Sequence, residues 1–252
     1  MLDRAVHYRH RSREEVLRRR AGWKDYEVGG EDTGNYTTPK LDGRRVAGMM
    51  TQMEEQKNMG VPPNWATYVS VASADDTAKK VAGLGGTVIV EPMDVMDFGR
   101  MAVFLDTEGA AICAWQANQH HGSEVVNEPG AFCWSELYAK DRDKAKAFYS
   151  GLFGWKPETH EGPMDYTEWK VGDRSVGGMI QITDEMGPIP PNWLTYFSVT
   201  DTDTATETAK KAGGSAMMGP MDIPDVGRFA ILADGQGAVF AVIKMADAHE
   251  TS

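Results

Sequence analysis

VPPNWATYVSV, from Val61 to Val71, returns as IPPNWLTYFSV from Ile189 to Val199. The offset is 128 residues, and it holds without a gap for about fifty positions, of which roughly twenty are identical. Asp75 meets Asp203, Gly85-Gly86 meets Gly213-Gly214, and Pro92-Met93-Asp94 meets Pro220-Met221-Asp222. Asp97 with Gly99-Arg100 meets Asp225 with Gly227-Arg228, and Asp106, Gly109 and Ala110 meet Asp234, Gly237 and Ala238. Upstream, V-A-G-M at Val46 meets V-G-G-M at Val176, and Gly22-Trp23 meets Gly154-Trp155. A period this long is no solenoid; it is the duplication of a domain-sized module. The spacing predicts a first module over residues 1–117, a linker over 118–130 and a second module over 131–246.

Within a module the pattern repeats again. Phe132 to Tyr138 is β-rich and half-alternating. In the segment that follows, Ala145, Phe148, Tyr149, Leu152 and Phe153 fall on one face of a helix over Asp141 to Phe153. Gly154 stops it. Tyr166–Val171 and Val176–Ile182 read as strands around a Gly172-Asp173 turn. A second round then gives a strand over Trp193–Val199, a helix over Thr202–Ala212 and three strands ending near Lys244. The expected class is α+β, with four βαβββ units in tandem. An open four-stranded sheet has exposed edges, and pairing two units is the natural way to cover them.

Composition narrows the function. The net charge of -11 argues against nucleic acid, which demands clustered positive charge. No apolar run approaches a membrane span, and the first residues have no secretory h-region, so the expected location is cytoplasmic. Two cysteines, Cys113 and Cys133, make no disulfide framework. The fifteen methionines read as core fillers. No G-x-S-x-G, P-loop or Rossmann fingerprint occurs.

F-C-W-S-E-L-x(3)-D-x(6)-F-Y-x(3)-F-G-W from Phe132, followed by D-x-G-R and D-x-x-G-A, resembles the vicinal oxygen chelate superfamily. Glyoxalase I, bleomycin-resistance proteins, fosfomycin-resistance enzymes and extradiol dioxygenases belong to it. The resemblance spans about residues 22–245 and implies paired βαβββ units whose sheets wrap a small-molecule cavity. It is specific for fold and weak for chemistry. In metal-using members, His, Gln or Glu ligands come from the first and last strands of units. Carried over, the first-strand position falls on Trp134, Leu194 and Ala66, and the last-strand position on Cys113 and Ala241. None of these is a good oxygen or imidazole ligand for a divalent ion; Cys113 alone could ligate zinc, and a single Cys beside Ala66 does not make a site. The resemblance therefore implies a ligand-binding protein of the bleomycin-resistance kind, with no cofactor expected. The alternative is a glyoxalase-like lyase or extradiol-type dioxygenase using a divalent metal. A small molecule is the expected partner, and a homodimer is left open.

Glu136 lies two positions beyond Trp134, so strand alternation puts both on the cavity side. A carboxylate in an apolar cavity suits a general base or a hydrogen-bond anchor, against the plainer reading of a structural ion pair. Trp134, Leu194, Tyr196, Tyr68 and Cys113 are the candidate ligand-binding residues, although packing alone accounts for the tyrosines. Arg228, with its twin Arg100, reads either as an ion pair with Asp225 (Asp97 for Arg100) or as an anion clamp for substrate.

By register, residues 1–21 should repeat the strand and helix before Gly154-Trp155, yet RHRSREEVLRRRA carries no apolar stripe. Read one base later, codons compatible with Arg11 through Ala21 encode D-P-A-K-K-F-Y-A-G-V-L, the missing helix. A single-base deletion near Gly22 would produce the sequence as it stands; the alternative is a divergent N-terminus.

Overall fold

The computed structural model describes residues 23, 25–30, 34–162 and 165–246. The frame-shifted reading of residues 1–21 therefore falls outside the described residues.

The chain opens with β1 (Asp25–Val28), β2 (Thr37–Leu41), β3 (Arg44–Arg45) and the short α1 (Glu54–Asn58). A complete βαβββ run follows: β4 (Tyr68–Ser70), α2 (Ala74–Gly83), β5 (Thr87–Val95), β6 (Gly99–Leu105) and β7 (Ala111–Ala117). The next is β8 (Phe132–Ala139), α3 (Arg142–Phe153), β9 (Lys156–His160), β10 (Tyr166–Val171) and β11 (Arg174–Gln181). The last is β12 (Asn192–Ser198), α4 (Thr202–Lys211), β13 (Ser215–Ile223), β14 (Gly227–Ala233) and β15 (Val239–Met245). The class is α+β, and the units repeat as the sequence predicts. β9 was not anticipated, because all five of its residues are exposed and leave no alternation to read.

Local chemistry sets the boundaries. The Asp141 carboxylate accepts from the backbone N–H groups of Asp143 and Lys144, so α3 begins one residue after its cap. Gly154, with φ 73°, ends it in the left-handed region that glycine enters without strain. The duplication extends to register. Tyr68 pairs with Cys113 as Tyr196 pairs with Ala241, and β5 and β13 carry irregularities at matching positions against β6 and β14.

Cα packing gathers the chain into two compact units. Unit 1 holds residues 1–65, 122–133 and 196–252, and unit 2 holds 66–121 and 134–195. Each draws on both halves of the repeat in sequence. Unit 1 places β1-β2-β3 and the run β13-β14-β15-β12 around a core of Trp23, Val46, Phe197, Leu232 and Phe240. The Trp23 indole donates to the Gly130 carbonyl at 2.6 Å. Unit 2 places β4-β7-β6-β5 and β8-β11-β10-β9 around Val81, Phe104, Leu137, Phe148, Tyr149 and Trp169. The hydroxyls of Thr67 and Ser135, 2.8 Å apart, link the beginnings of its two sheets.

The recurring arginines are clasps, with partners other than those expected. Arg100 donates to Asp75 through Nε at 2.7 Å and Nη2 at 3.0 Å, and to Asp94 through Nη1 at 2.9 Å. Arg228 does the same with Asp203 at 2.6 and 3.0 Å and with Asp222 at 3.1 Å. The expected partners, Asp97 and Asp225, are replaced because Asp94 and Asp222 stand directly across the hairpin from the arginines. Each clasp fastens the first turn of a helix to a strand.

The methionines also depart from expectation. Met93, Met96, Met217, Met218 and Met221 are exposed rather than buried.

Candidate functional site

In β8 the side chains alternate. Leu137 and Ala139 join the core beneath α3, which leaves Trp134, Glu136 and Tyr138 on the face opposite the helix. Glu136 is nevertheless buried, at 8% exposure. Such a carboxylate needs hydrogen-bonding partners. Tyr166, the first residue of β10, supplies one. Its hydroxyl accepts from the Trp134 indole Nε1 at 2.8 Å and is hydrogen-bonded to the Glu136 carboxylate. Burial pushes the Tyr166 phenol far above its ordinary range, and the neighbouring Glu136 charge adds to that. The phenol thus keeps its proton and donates a hydrogen bond to Glu136, giving a chain Trp134–Tyr166–Glu136.

The floor beneath this chain is a glycine. β11 runs parallel to β8 with Gly178 opposite Glu136. A Cβ at Gly178 would sit 1.8 Å from the Tyr166 hydroxyl oxygen and 3.0 Å from Trp134 Nε1. Only a residue without a side chain lets the phenol lie there.

The other sheet of unit 2 turns a softer face outward. Opposite α2 it carries Tyr68, Cys113 and Trp115, then Met101 and Met93, read across the register of β4, β7, β6 and β5. Tyr68 is half-exposed, edge-on to Trp115 at 6.3 Å, and hydrogen-bonds the Cys113 thiol. Burial pushes that thiol up to about 12, and the same cause takes Cys133 to about 12. Both therefore hold their protons at neutral pH. Iodoacetamide at pH 8 should label neither cysteine in the folded protein and both in urea; rapid labelling of folded Cys113 would contradict this.

Of the residues singled out in the sequence, Glu136, Trp134, Tyr68, Cys113 and Leu194 lie in unit 2, whereas Tyr196 and Arg228 lie in unit 1. Tyr196 is buried beside Ala241, and the Arg228 guanidinium is engaged by Asp203 and Asp222. Two grooves of about 400 and 800 Å³, by Lys156 and Lys170 and by Lys140 and Pro188, include none of these residues.

Tyr166 and Gly178 were missed by sequence reasoning. A signal existed: Tyr36, Thr37, Lys40, Arg44, Val46, Gly48 and Met49 recur as Tyr166, Thr167, Lys170, Arg174, Val176, Gly178 and Met179, at an offset of 130. In unit 1 Tyr36 lies over Gly48 in the same manner, with its hydroxyl oxygen 1.6 Å from where a Cβ would stand.

A divalent metal finds little here. Glu136 is one hard donor and is held by Tyr166, and the Cys113 thiol is far from its thiolate form. Among the described residues no three His, Cys, Asp or Glu side chains are grouped to hold an ion. Among them, too, no helix is long and apolar enough to cross a membrane.

Residues 134–242 match the family model described as Glyoxalase/Bleomycin resistance protein/Dioxygenase superfamily. The chain is 40% identical over 227 residues to a Mycobacterium tuberculosis protein named "Putative glyoxylase CFP32", covering 89% of this chain and 85% of that protein. It is 34% identical over 239 residues to the anthracycline biosynthesis protein DauV of Streptomyces sp. strain C5, covering 90% and 86%. A solved Mn(II)-bound glyoxalase from Novosphingobium aromaticivorans shares the fold, with a TM-score of 0.58 at 15% identity over 92% of this chain and 77% of the other.

Proposed function

Because this chain belongs to the glyoxalase/bleomycin resistance protein/dioxygenase superfamily, we propose that unit 2 binds a small, largely aromatic molecule on the helix-free face around Glu136, without the divalent metal. One observation carries the reading: a buried carboxylate is presented by a Trp134–Tyr166 chain over a glycine floor. A carboxylate accepts up to about four hydrogen bonds, so its bond to Tyr166 is compatible with receiving a ligand hydroxyl or ammonium. Trp134, Tyr68, Trp115 and the exposed Met93 of the same unit offer flat and adaptable apolar contact to the rest of the molecule. The relatives named for anthracycline biosynthesis support a fused aromatic ring system with polar substituents as the ligand class. Leu194 belongs to the same unit and is included in the proposed pocket. Tyr196 and Arg228 belong to unit 1, and Arg228 serves there as a clasp. The division of the repeat at residues 118–130 is proposed as the boundary of duplication rather than of packing.

The proposed role of Glu136 is to orient the ligand and to take a proton from a bound hydroxyl or ammonium. Glu136→Gln keeps size and hydrogen-bonding atoms and removes the charge. Calorimetric titration with an anthracycline should show binding weakened about 10- to 100-fold, from a charge-assisted bond of roughly 1.5–3 kcal/mol, with little change in thermal stability. Unfolding by Glu136→Gln with binding retained would make the residue a structural partner instead.

The second reading is a metal-dependent lyase or extradiol-type dioxygenase, favoured by the Mn(II)-bound glyoxalase of the same fold. Dialysis against zinc, nickel, manganese or ferrous iron followed by elemental analysis separates the two. The expected result is no stoichiometric ion; one tight ion per chain, lost in Glu136→Gln, establishes the second reading.

A further inference from the structure

Unit 2 contains another tryptophan–tyrosine–carboxylate chain, this one in its core. The Trp193 indole Nε1 donates to the Tyr149 hydroxyl at 2.9 Å, and that hydroxyl donates to Asp106 Oδ2 at 2.9 Å. Asp106 Oδ1 accepts from the backbone N–H groups of Glu108 and Ala110. Unit 1 repeats both ends of this chain. Trp65 is the counterpart of Trp193, and Asp234, that of Asp106, accepts through Oδ1 from Gln236 and Ala238. But Trp65 Nε1 and Asp234 Oδ2 are buried and have no hydrogen-bond partner among the described residues. An orphaned donor and an orphaned acceptor stand at the two positions that one tyrosine hydroxyl satisfies in unit 2. Buried groups left so are rare, because each loses its water without replacement.

By the repeat, the residue opposite Tyr149 is Leu17. Residues 1–21 share no identity with residues 133–153 as they stand. Read one base later, the codons for Val16 and Leu17 admit Phe-Tyr opposite Phe148-Tyr149. The agreement reaches the first strand as well. Codons for Met1 to Val6 admit C-W-T-E-L-Y opposite C-W-S-E-L-Y at Cys133 to Tyr138, and the cysteine is forced by any leucine codon after ATG. With Asp opposite Asp141 and Asp143, Ala-Lys opposite Ala145-Lys146 and Gly opposite Gly151, twelve of the 21 positions admit the residue of the second module. Each shifted codon leaves only a few residues open, so chance does not supply this.

We infer that the natural protein carries the shifted reading before Gly22, so that unit 1 has a tyrosine hydroxyl between Trp65 and Asp234.

Tryptic mapping of the protein isolated from the cells that encode it decides the matter. The shifted reading gives a peptide running from Phe-Tyr through Gly22-Trp23 to Lys24, and genomic sequencing shows one additional base near the Gly22 codon. Recovery of the peptide Ala21–Lys24, cut after Arg20, with an unbroken frame overturns the inference.

Discussion

Tyr149→Phe is expected to destabilise unit 2 by roughly 2–5 kcal/mol, although it removes a single oxygen atom. The ring is fully buried among Phe148, Trp155, Trp169 and Trp193, and phenylalanine fills the same space. What is lost is the hydroxyl between Trp193 Nε1 and Asp106 Oδ2, and each partner left buried and unpaired costs about 1–3 kcal/mol. Urea denaturation followed by tryptophan fluorescence measures it, with an unchanged slope against denaturant confirming that the surface exposed on unfolding is the same. A loss under about 0.5 kcal/mol would show that the chain is not a source of stability. The phenol gives a second check. Burial first, then the Asp106 charge, raises its ionisation well above the ordinary value of about 10. A tyrosine protonated in the folded state contributes stability that is complete below the unfolded value and is lost as pH rises beyond it. Stability should therefore fall above about pH 10, and less steeply in Tyr149→Phe.

Gly178→Ala is expected to weaken ligand binding about 100-fold while costing only about 1–3 kcal/mol of stability. The glycine's backbone suits alanine, so strain is not the mechanism; its φ lies outside the left-handed region. The new methyl would stand 1.8 Å from the Tyr166 hydroxyl oxygen and 2.4 Å from its Cζ, so the ring must leave and take its bonds to Trp134 and Glu136 with it. Tyr166→Phe separates steric from polar effects, since it keeps the ring and removes only the hydroxyl. Both variants should weaken binding, Gly178→Ala more. Full affinity in Gly178→Ala would show that the ligand does not use this chain.

Much of the fold was legible because its determinants are local. The Asp141 cap, the 3.6-residue stripe from Ala145 to Leu152 and Gly154 delimit α3 from within fifteen residues of chain. Strand β9 was not legible, since an edge strand exposed on every residue carries no alternation. Glu136 and Trp134 were legible as a pair on one face because strand parity is a two-residue rule. Tyr166 was not, although its motif recurs at Tyr36, because nothing in its own strand says that its hydroxyl reaches across to β8. The arginine partners went astray for a related reason. Asp97 is nearer to Arg100 in sequence, but Asp94 is its cross-strand neighbour, and the fold brings Asp75 of α2 to the same guanidinium.

By itself the sequence determined the duplication, the βαβββ order and the alternation that places Glu136 on the face away from the helix. Each follows from periodicity and from the steric preferences of neighbouring residues. Only the tertiary structure decided which repeats pack together, that Tyr166 bridges Trp134 and Glu136 over Gly178, and that Trp65 Nε1 and Asp234 Oδ2 each lack, among the described residues, a bond made in unit 2. Those facts depend on strand register and on the burial of polar atoms far apart in the chain, and a hydrogen bond of 2.8 Å is fixed by packing that no local pattern encodes.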